Sequence, residues 1–185
     1  MIRHALHGAT AVALLALCAV PAAAQVDPPA GRADTRVRVV PGAEYAAGPI
    51  QRFFHGDNRR DLWTRELLVP VLDLDGYAGG LVPEDQGGNQ SKTLHLVAGD
   101  GRTYIFRSVQ KFAGQVLPED LRGTAFNAML QDHISVFHPG GGFVVPRLHE
   151  ALGLLALPPE LRVMPDHPRL GEYRETFAGM LGQVV

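Results

Sequence analysis

The chain has 185 residues, a single cysteine and a formal charge of −2, with 17 Lys and Arg against 19 Asp and Glu. So small a net charge gives no electrostatic case for nucleic acid or an anionic lipid surface as partner. One cysteine, Cys18, excludes internal disulfides and multi-cysteine zinc or iron–sulfur centres.

Met1 to Ala24 has the organisation of a secretory signal peptide. Arg3 supplies the positive n-region, Ala9 to Val20 is an apolar run of h-region length, and Ala22-Ala23-Ala24 follows Pro21 with small residues. Cleavage before Gln25 is expected. The run is shorter than the ~20 apolar residues that span a bilayer. Leu15-Ala16-Leu17-Cys18 departs from a lipobox because Leu17 is not small, so lipidation is not expected. Cleavage would remove the only thiol, and with it a catalytic cysteine; Arg3, the one charge lost, would leave the mature chain at −3. No later stretch reads as membrane-spanning. The expected location is the periplasm or outer membrane.

Residues 25–35, rich in Pro, Ala, Gly and charge, read as a disordered lead-in. Residues 36–185 are one domain's worth of chain. Arg36 to Val40 alternates like a strand and ends at Pro41-Gly42. A short helix is expected within Tyr45 to Phe54, with Pro49 near its start and Gly56 past its end. Leu67 to Leu74 is a strand candidate, confined to an edge or bulge by Pro70. Gly76 to Gly88 reads as a flexible, turn-rich stretch. The clearest unit is a hairpin over about 93–109: Thr93 to Val97 and Thr103 to Val109 alternate on either side of Asp100-Gly101.

Helices dominate the remainder. Leu117 to Asp120 opens a helical turn that Gly123 closes. Thr124 caps a helix carrying Phe126, Met129, Leu130, Ile134 and Phe137 on one face. Pro146 is expected to start another, with Leu148, Ala151, Leu152 and Leu155 inward. Leu161 to Met164 reads as a strand, and a last helix from about Pro168 carries Leu170, Tyr173, Phe177 and Leu181. The fold class is α+β: a small antiparallel sheet with three or four helices, mainly from the C-terminal half, packed on it. Met180 to Val185 is apolar up to the carboxylate, an ending expected of a truncated part of a longer protein; Gly182-Gln183-Val184-Val185 could begin a strand.

Constellations for chemistry are sparse. Asp73-Leu74-Asp75-Gly76 lacks the further acids of a calcium loop. His133 and His138 are five apart rather than four, His149 sits beside Glu150 and His167 in a proline-rich turn; surface or capping roles are expected. Ser91, Ser108 and Ser135 have no local triad partner. Phe53-Phe54 and Trp63 flank the cluster from His55 to Asp61, which reads as a packed helix with a solvated connection.

Gly87-Gly88-Asn89-Gln90-Ser91-Lys92 could cradle a phosphate on backbone amides, with Lys92 adding charge. The order glycine-rich segment, two strands, a base at Arg107 or Lys111, then a helix bearing Asp132 is that of a kinase small lobe. Gly88 to Lys92 resembles the glycine–glutamine–lysine loop of HipA-type kinases; Tyr104 to Arg107 sits at that family's nucleotide-lysine strand, with arginine in place of lysine. Ala151 to Leu154 resembles the helix end before its fourth strand. This resemblance implies a nucleotide site on Gly87, Gly88, Gln90, Lys92, Arg107, Lys111 and Asp132, with ATP and Mg as cofactors.

A second resemblance spans more of the chain. Phe53 to Trp63, Gly79-Gly80-Leu81, Arg107 to Lys111, Gln131 to Ser135 and Phe177 to Gly182 are similar to an uncharacterised N-terminal module of large bacterial envelope proteins. Some of those proteins continue into phosphoesterase-like or outer-membrane-barrel regions. It implies location and context and carries no known catalytic residue; a binding or structural module of a larger protein, without cofactor, is expected. Its partners would be downstream domains of the same protein or other envelope proteins.

Overall fold

The computed structural model describes residues 35–185. The signal peptide, its cleavage site, Cys18 and all of the lead-in except Thr35 lie outside the described residues. The domain is α+β, with two antiparallel sheets and helices whose two longest members lie in the C-terminal half.

The first sheet is a ribbon of β1 (Arg36–Val39) and β2 (Leu67–Pro70). Pro70 closes β2 opposite Arg36, and Asp73 turns the chain beyond it by accepting from the amides of Asp75 and Gly76. The expected strand, Leu67 to Leu74, therefore stops short of Asp73.

The second sheet has five strands in the order β3-β4-β5-β7-β6, antiparallel throughout. The expected hairpin is β4 (Thr93–Ala98) with β5 (Thr103–Ser108), and Arg102 N–H donates to the Asp100 carboxylate in its turn. Strand β3 (Leu81–Gly87) forms where a flexible stretch was expected. It is an exposed edge strand, bulged between Pro83 and Asp85, with only Leu81 buried. Such a strand carries almost no alternation for a sequence pattern to detect. Strand β6 (Glu160–Val163) matches the expected short strand, and Val163 bridges to Val71 to join the two sheets.

The C-terminal strand β7 (Leu181–Val184) lies inside the sheet, between β5 and β6. Its alternation divides two cores. Val184 packs with Leu94, Leu96, Phe106, Met164 and Phe177 on one face. Leu181 packs with Tyr45, Trp63, Val109, Ile134 and Val163 on the other. The expected last helix is broken at Gly171 into a 3-10 turn (Pro168–Tyr173) and α5 (Arg174–Phe177), so Leu181 leaves the helical stripe and enters the strand.

Four more helices complete the fold: α1 (Pro49–His55), α2 (Arg60–Trp63), α3 (Ala125–His133) and α4 (Gly141–Ala151). Pro49 opens α1 and Gly56 closes it, as the sequence predicts. Thr124 caps α3, accepting from Asn127 N–H. Helix α4 starts five residues before Pro146, which lies within it. Its apolar residues do not turn inward: Leu148, Leu152 and Leu155 are exposed, and neither α3 nor α4 contains a buried residue. Of the expected α3 face, Ile134, in the turn beyond α3, is buried in the core and Leu130 packs half-buried against it.

Gly182 faces the fully buried Phe106 ring, and a Cβ there would lie inside it. Phe106 packs edge to face against Phe177, with ring centroids 6.2 Å apart. Gly182→Ala is therefore expected to destabilise the fold by about 1–3 kcal/mol. Chemical denaturation would read this as a lowered midpoint with unchanged slope.

Candidate functional site

The polar centre of the molecule forms where α1, α2 and α3 meet. Arg60, at the start of α2, has no exposed surface. Its Nη1 and Nη2 donate to the two oxygens of Asp132, each at 2.7 Å, in a bidentate pair. Two further donors find backbone partners, Nε on Gly56 O and Nη1 on Tyr45 O.

Asp132 lies in the last turn of α3, where the helix dipole disfavours an anion. Four donors compensate: besides the two from Arg60, Gln51 Nε2 and His55 Nδ1 of α1 each bond it at 2.8 Å. The Arg60 guanidinium, against some desolvation, holds the Asp132 carboxyl down at about 2. Asp132 in turn raises Arg60. Because the carboxylate only accepts, His55 carries its proton on Nδ1. No described residue bonds Nε2, and the ring lines an open recess of about 530 Å³ with Gly48, Pro49, Ile50, Gln51 and Phe54.

The neighbouring Gln131 ties α3 to a different segment. Its Oε1 accepts from Ala113 N–H, and its Nε2 donates to Lys111 O and the Tyr45 hydroxyl. Burial pushes the Tyr45 phenol well above its ordinary range. Asn58 donates to Ser135 Oγ, Arg59 N–H to Ser135 O, and Trp63 Nε1 to Phe137 O. These bonds clamp α2 to the turn after α3.

The residues of the phosphate reading lie apart from this centre. Gly87 ends β3, opposite Thr93. Gly88 has φ +99°, and a Cβ there would strike Ser91 O, so this tight turn requires glycine. Gln90 O accepts from Phe112 N–H, and Lys92 Nζ lies 4.9 Å over the Phe112 ring. Arg107 is exposed on β5. Lys111 is half-buried, and neither it nor Arg107 pairs with Asp132. The structure thus ties Gln90 and Lys92 to Phe112, holds Gly88 against Ser91, and gives Asp132 to Arg60, His55 and Gln51.

His138 and His167 accept from backbone amides of Gly140 and Arg169 as turn caps. Ser108 and Ser135 are buried within hydrogen bonds to Gln110 O and Asn58. Among the described residues no group of His, Cys, Asp and Glu could hold a metal ion. Sequence reasoning missed Gln51 and Arg60. An acid in the last turn of a helix was the one available signal that a buried cation waits elsewhere. The chain matches no protein-family model, no curated protein and no solved structure.

Asp132→Ala strands the Arg60 charge in a closed site, and a loss of about 3–5 kcal/mol is expected by chemical denaturation. Arg60→Lys cannot restore the bidentate pair and is expected to destabilise as well. The depressed Asp132 carboxyl also sets an acid dependence. Its contribution, about 2 kcal/mol, is complete above the ordinary carboxyl range near pH 4 and is lost as pH falls toward 2. Denaturation midpoints measured from pH 6 to pH 2 are expected to fall in that window, and the fall is expected to be shallower in Asp132→Ala.

Proposed function

We infer that this chain is an exported bacterial envelope module that works by docking protein surfaces. One observation carries the reading: α1, α3 and α4 contain no buried residue, yet α1 and α4 present large apolar side chains. Phe53 and Phe54 of α1 are 82% and 75% exposed, and Leu152 at the end of α4 is 74% exposed. Such a concentration of apolar surface marks an interaction site. The polar centre beside it supports the reading, because every Asp132 oxygen is engaged by donors of the same chain. Export rests on the pattern of Met1 to Ala24. No helix among the described residues is long and apolar enough to cross a membrane.

The alternative, a nucleotide-binding small lobe, has the glycine turn between two antiparallel strands in its favour. The engagement of Asp132 by Arg60 counts against it, since that acid would have to meet Lys111 or Arg107.

Expressed with its own leader, the chain is expected in the envelope fraction, beginning at Gln25 by intact mass. The purified chain is expected to enhance the fluorescence of anilinonaphthalene sulfonate. Phe53→Ser combined with Leu152→Ser is expected to reduce that enhancement several-fold with an unchanged circular dichroism spectrum. Cytoplasmic retention of an uncleaved chain would end the export reading, and dye binding indifferent to both substitutions would end the docking reading.

A further inference from the structure

We propose that His55, oriented by Asp132 and flanked by Gln51, is a general base that hydrolyses small apolar esters in the recess beside α1. This goes beyond the docking reading and stands without it. His55 Nδ1–H donates to Asp132 at 2.8 Å, which leaves the ring's lone pair on Nε2. No described residue bonds that nitrogen. His138 and His167, by contrast, use Nδ1 to accept from backbone amides. Asp132 is a firm orienter: the Arg60 guanidinium holds its carboxyl down at about 2, so it stays ionised at neutral pH. An ionised carboxylate that fixes the tautomer and angle of an imidazole, with the other nitrogen open, is the base–orienter pair of acid–base catalysis. A tether from α1 to Asp132 does not need the open nitrogen, since the Gln51 amide makes the same link.

The neighbours of the ring supply what else the chemistry needs. Gln51 precedes His55 by one helical turn, and both line the recess of about 530 Å³. A primary amide has two N–H donors. One from Gln51 goes to Asp132 Oδ1, and the other has no partner among the described residues. Ile50 and Phe54 form a second pair one turn apart, both exposed, and with Pro49 they give the recess an apolar wall. No Ser, Thr or Cys lines it, so the nucleophile is water. Nε2 takes a proton from the water as its oxygen adds to the ester carbonyl carbon. The carbonyl oxygen becomes an oxyanion and accepts from the free Gln51 N–H. The bond from that carbon to the alcohol oxygen then breaks, and Nε2–H returns its proton to the departing oxygen. Ester and water thus give acid and alcohol, and Asp132 keeps the Nδ1 proton throughout.

The test is hydrolysis of p-nitrophenyl butyrate by the purified full chain. His55→Gln and Gln51→Leu are each expected to lower kcat/KM about 100-fold, and His149→Gln is expected to leave it unchanged. No residue of α1 is fully buried, so unchanged circular dichroism is expected for the first two variants. The native chain provides a second measurement that needs no variant. Diethyl pyrocarbonate is expected to acylate His55 faster than His149, read by peptide mass, with activity lost in step. Hydrolysis no faster than that by equimolar imidazole overturns the proposal. So does activity that survives His55→Gln, or inactivation that follows the acylation of another histidine.

Discussion

The bidentate pair between Arg60 and Asp132 sets the arrangement of the helices. Desolvating two charges is costly, and such a pair often contributes no more stability than apolar residues of the same volume. Its distinctive contribution here is directional. The guanidinium is planar, and each of its three nitrogens bonds a fixed point: the Asp132 carboxylate on α3, Tyr45 O, or Gly56 O at the end of α1. The carboxylate then draws in Gln51 and His55. An apolar cluster could fill the same space, but it would not fix three helices at one angle and register. These helices need that constraint, because no residue of α1 or α3 is fully buried.

The sheet works by a different principle. Strand β7 has apolar cores on both faces, so moving it by one residue would exchange Val184 and Leu181 between cores of different shape. Gly182 sharpens the register further, since a Cβ at that position would lie within the Phe106 ring. The chain leaves the sheet after β5 and returns at β6, and α3 and α4 lie in that excursion. Non-directional apolar packing thus holds the sheet, and directional polar bonds hold the helices to it. Trp63 takes part in both, with its ring in the second core and its indole N–H on Phe137 O.

This division decides what could be read from the residues alone. The β4–β5 hairpin was legible because alternation and the Asp100-Gly101 turn are local signals. Helix α1 was legible from Pro49 and Gly56 for the same reason. Strand β3 was not, because an exposed, bulged edge shows no period. Arg60 was not, because nothing nearby distinguishes it from the exposed Arg59; the difference is made by Asp132, 72 positions away. The stripe on α4 was legible as amphipathic, but its direction was not. Periodicity shows that one face differs from the other. It does not say which face the rest of the fold will cover.

The outward turn of α4 follows from those same constraints. The second core is closed by Tyr45, Trp63, Ile134 and the inner faces of β6 and β7, with Leu130 and Leu161 packed around it. Little apolar demand remains there for another helix. The side of α4 at Gly142 lies against the sheet, where the polar side chain of Gln183 meets it. The fold is complete without Leu148 of α4 and Leu152 and Leu155 just beyond it, which frees them from any part in stability. Substitutions on that face would therefore alter association and leave folding almost untouched, whereas substitutions around Asp132 would do the reverse. Residues so separated can change partner without risk to the core, an arrangement suited to a module whose work is done at its surface.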